Sequence, residues 1–254
     1  MKAIVRGVSD SFEKALASYF GRGPTDIREA KLQHSVYVSK LEELGVTIKF
    51  ISADSNFPDC CFVEDHAVIA GDSALITNAG HDSRLGEKEA VQMSLAEDLN
   101  LSFMPSDARM DGGDVLKFGN HFLVGHSSRT NKKGIDSLRD FLIKRGFGLH
   151  VIEVPKESLH LISVCTSPMP NVILAPEGWF HESDFPENSE IIWIPSNEAY
   201  GANVLPFGQD VIVAEGYETV SKKLMERRLN LHHIDMSQFR AADGSLTCLS
   251  LLYD

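Results

Sequence analysis

Three carboxylates, Asp59, Glu64 and Asp65, crowd the stretch FPDCCFVEDHAVIA at residues 57–70, around an apolar run that reads as a strand entering a core. Singly, each has an ordinary explanation: Asp59 follows a proline and suits a turn, and Glu64-Asp65 suits an exposed strand edge. Together, on two sides of one buried mouth, they point toward a cation site. Acceptor-only oxygens in a partly desolvated pocket match a planar cation with several donors, and a guanidinium carries five in a fixed fork.

Other residues could act on such a cation. DGGD at 111–114 is either a plain glycine-rich turn or a place where the backbone approaches a ligand while Asp111 fixes a neighbouring polar side chain. His160 falls in LHLIS, a strand pattern. It is either a satisfied core histidine or, in a polar pocket, a proton shuttle with a near-neutral pKa. Cys248 lies in DGSLTCLSLL, between a Gly-Ser turn and an apolar strand. It is either a small core hydrophobe or a nucleophile whose thiolate needs a cation beside it, such as a bound guanidinium. Arg84 in HDSRLGE and Arg129 in SSRTN stand where loops enter helices, as solvated surface or as captors of a carboxylate. Cys60, Cys61 and Cys165 read as packing residues. Cys60, Cys61 and His66 match no zinc spacing. His232, His233 and Asp235 lie along a strand whose neighbours face opposite ways. No metal or other cofactor is expected.

The elements that must position these residues recur as hairpin, helix and strand. FVEDHAVIAGDSALIT turns at Gly71-Asp72, SRLGEKEAVQMSLAEDL follows as an amphipathic helix, and LSFMP closes the unit. DVLKFGNHFLVG turns at Gly119-Asn120, a helix is predicted from Thr130 as N-cap to Lys144, stopped by Gly146, and HVIEV closes it. LHLISVCTSPMPNVILAP turns near Pro170-Asn171 and closes on IIWIP with an ill-defined helix between, and NVLPFGQDVIVAEGY turns at Gly208-Gln209 before ETVSKKLMERRL and LHHID. A fifth unit is split across the termini: SLTCLSLLYD pairs with KAIVRG, and residues 27–44 and VTIKFI supply its helix and last strand. Five such units predict a ring-like α/β domain over residues 1–254 with no free sheet edge. A doubly wound parallel sheet also alternates strands with helices, but hairpins and the lack of a GxGxxG or GxxxxGK[ST] loop argue against it; GRG at 21–23 is only a short loop signal.

Composition narrows the function classes. With 43% hydrophobic and 24% charged residues the chain has enough apolar surface for a substantial core. A formal net charge of -12 and no Lys/Arg run disfavour a nucleic-acid groove. No apolar stretch nears the roughly 20 residues of a membrane-spanning helix. The four cysteines show no disulfide-framework spacing and MKAIVRGVSDSF no signal peptide, so a reducing, cytoplasmic setting is expected.

FPDCCFVED, SRLGE, MDGGDVL, HFLVGHSSRTN, LHL and DGSLTCLSL, in this order, resemble the dimethylarginine dimethylaminohydrolase family of the guanidino-group-modifying (pentein) superfamily. The resemblance implies a five-bladed α/β propeller of ββαβ units. It also implies covalent hydrolysis at the guanidinium carbon of methylated arginine, giving citrulline and an amine. Matched to the motifs, Cys248 is the nucleophile, His160 the general acid and base, and Asp111 the residue that orients the imidazole. Asp65 and Glu64, with Asp59, are expected to hold the substrate's nitrogens and α-amino group. Arg84 and Arg129 are expected to grip its carboxylate. Leu16 matches a position in an N-terminal lid loop, Ala242 a backbone carbonyl near the nucleophile, and Phe62 a ring against the substrate stem. The implied partner is a small-molecule substrate, and a homodimer is compatible with the chain.

Two departures stand out. Asp111 takes a place that Glu holds in some relatives, which shortens its reach by one methylene. Ile162 follows LHL where a Lys is expected. Free-arginine deiminases share the Cys-His-carboxylate machinery but carry an additional helical insertion for which this chain has no room. Agmatine has no carboxylate for Arg84 and Arg129. A non-catalytic guanidino binder has no use for both Cys248 and His160.

Overall fold

The computed structural model describes residues 1–21, 26–187 and 189–254; most of the GRG signal at 21–23 lies outside them. Strands are β1 (Lys2–Arg6), β2 (Thr47–Ile51), β3 (Ala67–Ala70), β4 (Ser73–Ile76), β5 (Asn100–Phe103), β6 (Val115–Phe118), β7 (His121–His126), β8 (Gly148–Glu153), β9 (Thr166–Met169), β10 (Val172–Pro176), β11 (Glu190–Ile194), β12 (Leu205–Phe207), β13 (Asp210–Ala214), β14 (Asn230–Ile234) and β15 (Leu251–Tyr253). Helices are α1 (Ile27–Glu43), α2 (Lys88–Leu95), α3 (Lys132–Ile143), α4 (Glu218–Met225) and α5 (Ser237–Ala241).

The strands form five three-stranded sheets of one topology. In each, the middle strand pairs antiparallel with the strand before it and parallel with the strand after it, as in β3-β4-β5 and β6-β7-β8. β9-β10-β11 and β12-β13-β14 repeat the pattern. The fifth sheet closes the ring through the termini: Ala3 of β1 pairs with Leu252 of β15 on one side and with Ile48 of β2 on the other. The chain is thus a five-bladed α/β propeller.

Local sequence explains the blades. At the predicted turns Gly71, Gly119 and Gly208 adopt φ of 62°, 58° and 68°, and in the third hairpin Asn171 takes 60°, the left-handed backbone a tight hairpin needs. Helix α1 starts at Asp26, whose carboxylate accepts from the Arg28 and Glu29 N–H groups, and buries Ala30, Gln33, Tyr37 and Leu41 on one face. Residues of all five leading strands, β3, β6, β9, β12 and β15, line two adjoining cavities that share Glu64, Val115, Lys117, Leu205 and Thr247. These cavities form a channel inside the ring of blades.

Several local expectations are corrected. The helix of the second unit starts at Asn131, whose side chain accepts from the Gly134 N–H, and Thr130 instead donates to Asp114. The first unit's helix shrinks to α2 with a 3-10 turn at Asp82–Arg84, and among the described residues the third has only a 3-10 turn at Glu182–Asp184 between its last two strands. LHLIS is not a strand, Glu64-Asp65 lie in the 3-10 turn Val63–His66, and Cys248 lies in the 3-10 turn Thr247–Leu249. The reason is shared. Each segment immediately precedes a blade's leading strand, where the chain crosses the end of the ring and its backbone N–H groups go to carbonyls of the same turn, as from Cys248 to Ser245, or to side chains, as from Leu161 to Asp114, rather than to a ladder.

Candidate active site

The turns before β3, β6, β9 and β15 carry Asp65, Asp111, His160 and Cys248 respectively. Gly112 and Gly113 allow the turns to meet. A Cβ on Gly112 would sit 2.0 Å from the Glu64 carbonyl oxygen, and one on Gly113 would sit 2.6 Å from His160 Nδ1. Backbone leaves room only for hydrogen at Gly112, whereas at Gly113 a methyl would displace side chains. Asp65 Oδ1 accepts the Gly113 N–H at 3.0 Å, and Asp111 Oδ1 accepts the Gly80 N–H at 2.7 Å, so both carboxylates are fixed by backbone.

His160 Nε2 lies 2.9 Å from Asp111 Oδ2, and Nδ1 lies 4.0 Å from Asp65 Oδ1. Burial alone would lower the His160 pKa, but Asp65, the Asp111 hydrogen bond and Asp114 outweigh it and raise it to about 9. Asp111 is fully buried; burial works against its charge, yet the bond from His160 brings it down to about 2. The pair is therefore an imidazolium on a carboxylate at neutral pH. Cys248 faces the opposite balance: burial, Glu64 and Asp65 push its thiol well up, against the Ser245 N–H and Arg84.

Leu16, Asp59, Phe62, Asp65, Arg84, Arg129, His160, Ala242 and Cys248 all line one small cavity, with Leu159, Asp243 and Gly244. Its free volume, about 20 Å³, is room for about one water. The segment at residues 16–21 covers it. The Leu16 N–H donates to Asp59 Oδ1 at 3.1 Å, and Asp243 accepts from the backbone N–H groups of Ser18, Tyr19, Phe20 and Gly21. Burial pushes the Asp59 carboxyl up, against the pull of Arg84.

The two arginines differ. Arg84 is buried and committed: Nη1 donates to Asp65, Nε to Glu87 at 3.0 Å, and Nη2 to Glu87 at 2.8 Å and to the Phe62 carbonyl at 3.0 Å. Arg129 makes a looser contact, 3.6 Å from Asp111 Oδ2, and its side chain is 14% exposed. Of the two, it is the one with donors to spare among the described residues. Glu64 is the residue the structure sets apart from the cavity. Its carboxylate accepts from Thr247 Oγ1 at 2.9 Å and faces the channel, so the expectation of a substrate contact from this side chain does not match its orientation. Asp65, Asp111 and His160 bring metal-capable atoms within 4.8 Å of one another. Arg84 and Arg129 already balance the carboxylates, so the group reads as an ion-paired cluster rather than a metal centre.

No family model matches the chain. Among curated proteins, the N(G),N(G)-dimethylarginine dimethylaminohydrolase of Pseudomonas aeruginosa is 30% identical over 233 residues, covering 91% of both chains. The enzyme of that name from Streptomyces coelicolor is 30% identical over 263 residues, covering 100% of this chain and 98% of its own. The chain belongs to the dimethylarginine dimethylaminohydrolase family. The Pseudomonas aeruginosa enzyme, solved as a cysteine-to-serine variant in complex with citrulline, superposes with a TM-score of 0.93 at 29% identity, covering 98% of each chain. The N-terminal domain of a cyanobacterial arginine dihydrolase shares the fold, with a TM-score of 0.87 at 16% identity.

Within this dimethylarginine dimethylaminohydrolase fold, several supporting residues carried no strong sequence signal. Glu87 is buried and holds both Arg84 and His66; its place at i+3 from Arg84 in SRLGE was the available cue. Asp114 accepts from Ser127 and Thr130 at 2.6 Å each and from the Leu161 N–H at 3.0 Å, and so ties the Arg129 loop to the His160 turn. Asp243 stands before Gly244 with φ 57°. Its four backbone donors come from a segment more than 220 residues away, which no local pattern reports.

Proposed function

We propose that this chain hydrolyses Nω-methylated arginines to citrulline and the corresponding methylamine, with Cys248 as nucleophile and His160 as acid and base. The observation that carries the reading is one cavity lined by Cys248, His160, the carboxylates Asp59 and Asp65, and Arg129, with Asp111 buried behind it on the His160 ring. A guanidinium is a poor electrophile because its charge is delocalised. Held against Asp65 beside Cys248, it supplies the positive charge that the buried thiol lacks in the free enzyme, and the thiol proton leaves to solvent.

The Cys248 thiolate then adds to the guanidinium carbon. The His160 imidazolium donates its proton to the departing nitrogen, the C–N bond breaks, and an S-linked thiouronium remains while the amine leaves. Neutral His160 next takes a proton from water, the hydroxide adds to the same carbon, and the C–S bond breaks. The citrulline precursor gives its proton to the departing sulfur, which restores the thiol and the imidazolium. Arg129, with its uncommitted donors, takes the α-carboxylate. Asp59 takes the α-amino group, aided by the Ala242 carbonyl and the backbone at Leu16, and Phe62 packs on the stem. The four free, buried cysteines suit a reducing compartment, and we place the enzyme in the cytoplasm, acting as a single catalytic domain.

Citrulline release from Nω,Nω-dimethylarginine, Nω-methylarginine, arginine and agmatine, measured side by side with Cys248→Ala as blank, tests this. Turnover of the methylated substrates alone is expected. Arginine as the best substrate would move the chain to the deiminases.

A further inference from the structure

The floor of the cavity is thin. Asp65 and Cys248 line the cavity, and their chain neighbours Glu64 and Thr247 line the channel on the other side. Across that floor Thr247 Oγ1 donates to Glu64 Oε2 at 2.9 Å. Asn203, fully buried, holds the same residue from behind: its Nδ2 donates to Thr247 Oγ1 at 2.9 Å and its Oδ1 accepts the Thr247 N–H at 3.1 Å. The threonine hydroxyl thus accepts from Asn203 and donates to Glu64.

What Glu64 lacks is a cation. Asp65, on its own turn, is a second anion, and across the floor stand the Cys248 thiol and His160, whose charge Asp111 and Asp65 already balance. Tyr37 of α1, nearby, is bonded to Ser250. From β6, Lys117 lines the channel, but its ammonium stands over the Phe147 ring at 6.0 Å. The position after LHL, which also lines the channel, is the apolar Ile162. Among the described residues no ion pair reaches Glu64.

We propose that Glu64 works as an uncharged carboxylic acid, a positioning residue that holds the Cys248 turn through Thr247, and that loss of its proton makes the nucleophile harder to ionise. Glu64 is half-buried at the channel wall, and that burial first, and then Asp65, raise its pKa to about 8, against Thr247 and His160. Below that value one anion, Asp65, stands beside the sulfur from this turn. Above it there are two, and the thiolate costs more.

The inference rests on Cys248 being the nucleophile, and its test reads the thiol directly. The rate at which iodoacetamide labels the Cys248 peptide is followed by mass spectrometry from pH 6 to 10.5 in the wild type, Glu64→Gln and Glu64→Leu. Gln keeps the uncharged acceptor and cannot ionise. We expect equal rates for Gln and wild type at pH 6.5 and labelling several-fold faster in Gln above pH 8.5. At pH 7, kcat of the Gln variant should stay within about threefold of wild type. It should fall at least tenfold in Leu, which strands the Thr247 hydroxyl. Superimposable wild-type and Gln labelling profiles, or a Gln variant as impaired as Leu, would overturn the proposal. Should Cys248→Ala retain turnover, the catalytic reading fails, while the labelling profiles still report the charge at position 64.

Discussion

His160 Nε2 and Asp111 Oδ2 stand 2.9 Å apart in a fully buried setting, and Asp65 faces the other ring nitrogen at 4.0 Å. The imidazole is thus held as a cation with one ring nitrogen turned away from Asp111. The pair sets both pH behaviour and stability. His160 is raised to about 9, so its stabilisation is fully present below its unfolded value and is lost as pH rises through about 9. Asp111 is lowered to about 2, so its contribution is present above its unfolded value and is lost as pH falls through about 2. Asp111→Asn removes the anion and lowers the His160 pKa. We expect kcat to fall about 10²-fold or more, the alkaline limb of kcat/KM to move to lower pH, and the loss in thermal stability to be greatest between pH 5 and pH 6, about where both contributions are in force. Steady-state kinetics and melting curves across pH check all three.

The arginines should separate by phenotype. Arg129→Ala is expected to raise KM for dimethylarginine by about tenfold or more, the worth of a charge-assisted carboxylate contact, with little effect on melting. Arg84→Ala strips the counter-charge from buried Asp65 and Glu87 and should destabilise the fold by about 3–5 kcal/mol. Melting temperature and KM measured on both variants decide the matter; equal loss of stability would remove the distinction.

Asp243 clasps the strap over the cavity through four successive backbone N–H groups. Asp243→Asn gives up one acceptor oxygen and the charge. We expect KM to rise about tenfold, the cost of weakened charged hydrogen bonds, and residues 16–21 to exchange their amide hydrogens faster. Hydrogen-exchange mass spectrometry on the free enzyme reads the second effect.

Adjacent glycines should fail in different ways. A methyl at Gly113 meets His160 Nδ1 at 2.6 Å and Asp65 Oδ1 at 2.9 Å, both on side chains. Gly113→Ala should therefore fold and lose about 10²-fold in kcat through a displaced imidazole. At Gly112 the methyl meets the Glu64 carbonyl oxygen at 2.0 Å, which is backbone. Gly112→Ala should lose soluble expression or a large part of its stability. Circular dichroism of the two proteins before assay distinguishes them.

The amino-acid sequence by itself determined the blades and the chemical types. Hairpin turns at Gly71, Gly119, Asn171 and Gly208, alternating apolar strands and an amphipathic helix ending at Gly45 are local signals, because turn backbone and strand periodicity are properties of a few adjacent residues. Cys248, His160, Asp111 and Arg129 were candidates by residue type, and only the resemblance of six ordered motifs to a known family grouped them. Tertiary structure decided which way side chains face and what they spend their donors on. LHLIS and SLTCLSL look like strands by composition, yet they turn, since the end of the ring demands it. Arg84 and Arg129 look alike in sequence, and only packing makes one a buried brace and leaves the other on a loose contact with Asp111. Glu64 and Asp65 are adjacent acidic residues that the 3-10 turn sends to opposite sides of the cavity floor. Charge state depends on what surrounds a group in three dimensions, and those surroundings come from blades far apart along the chain.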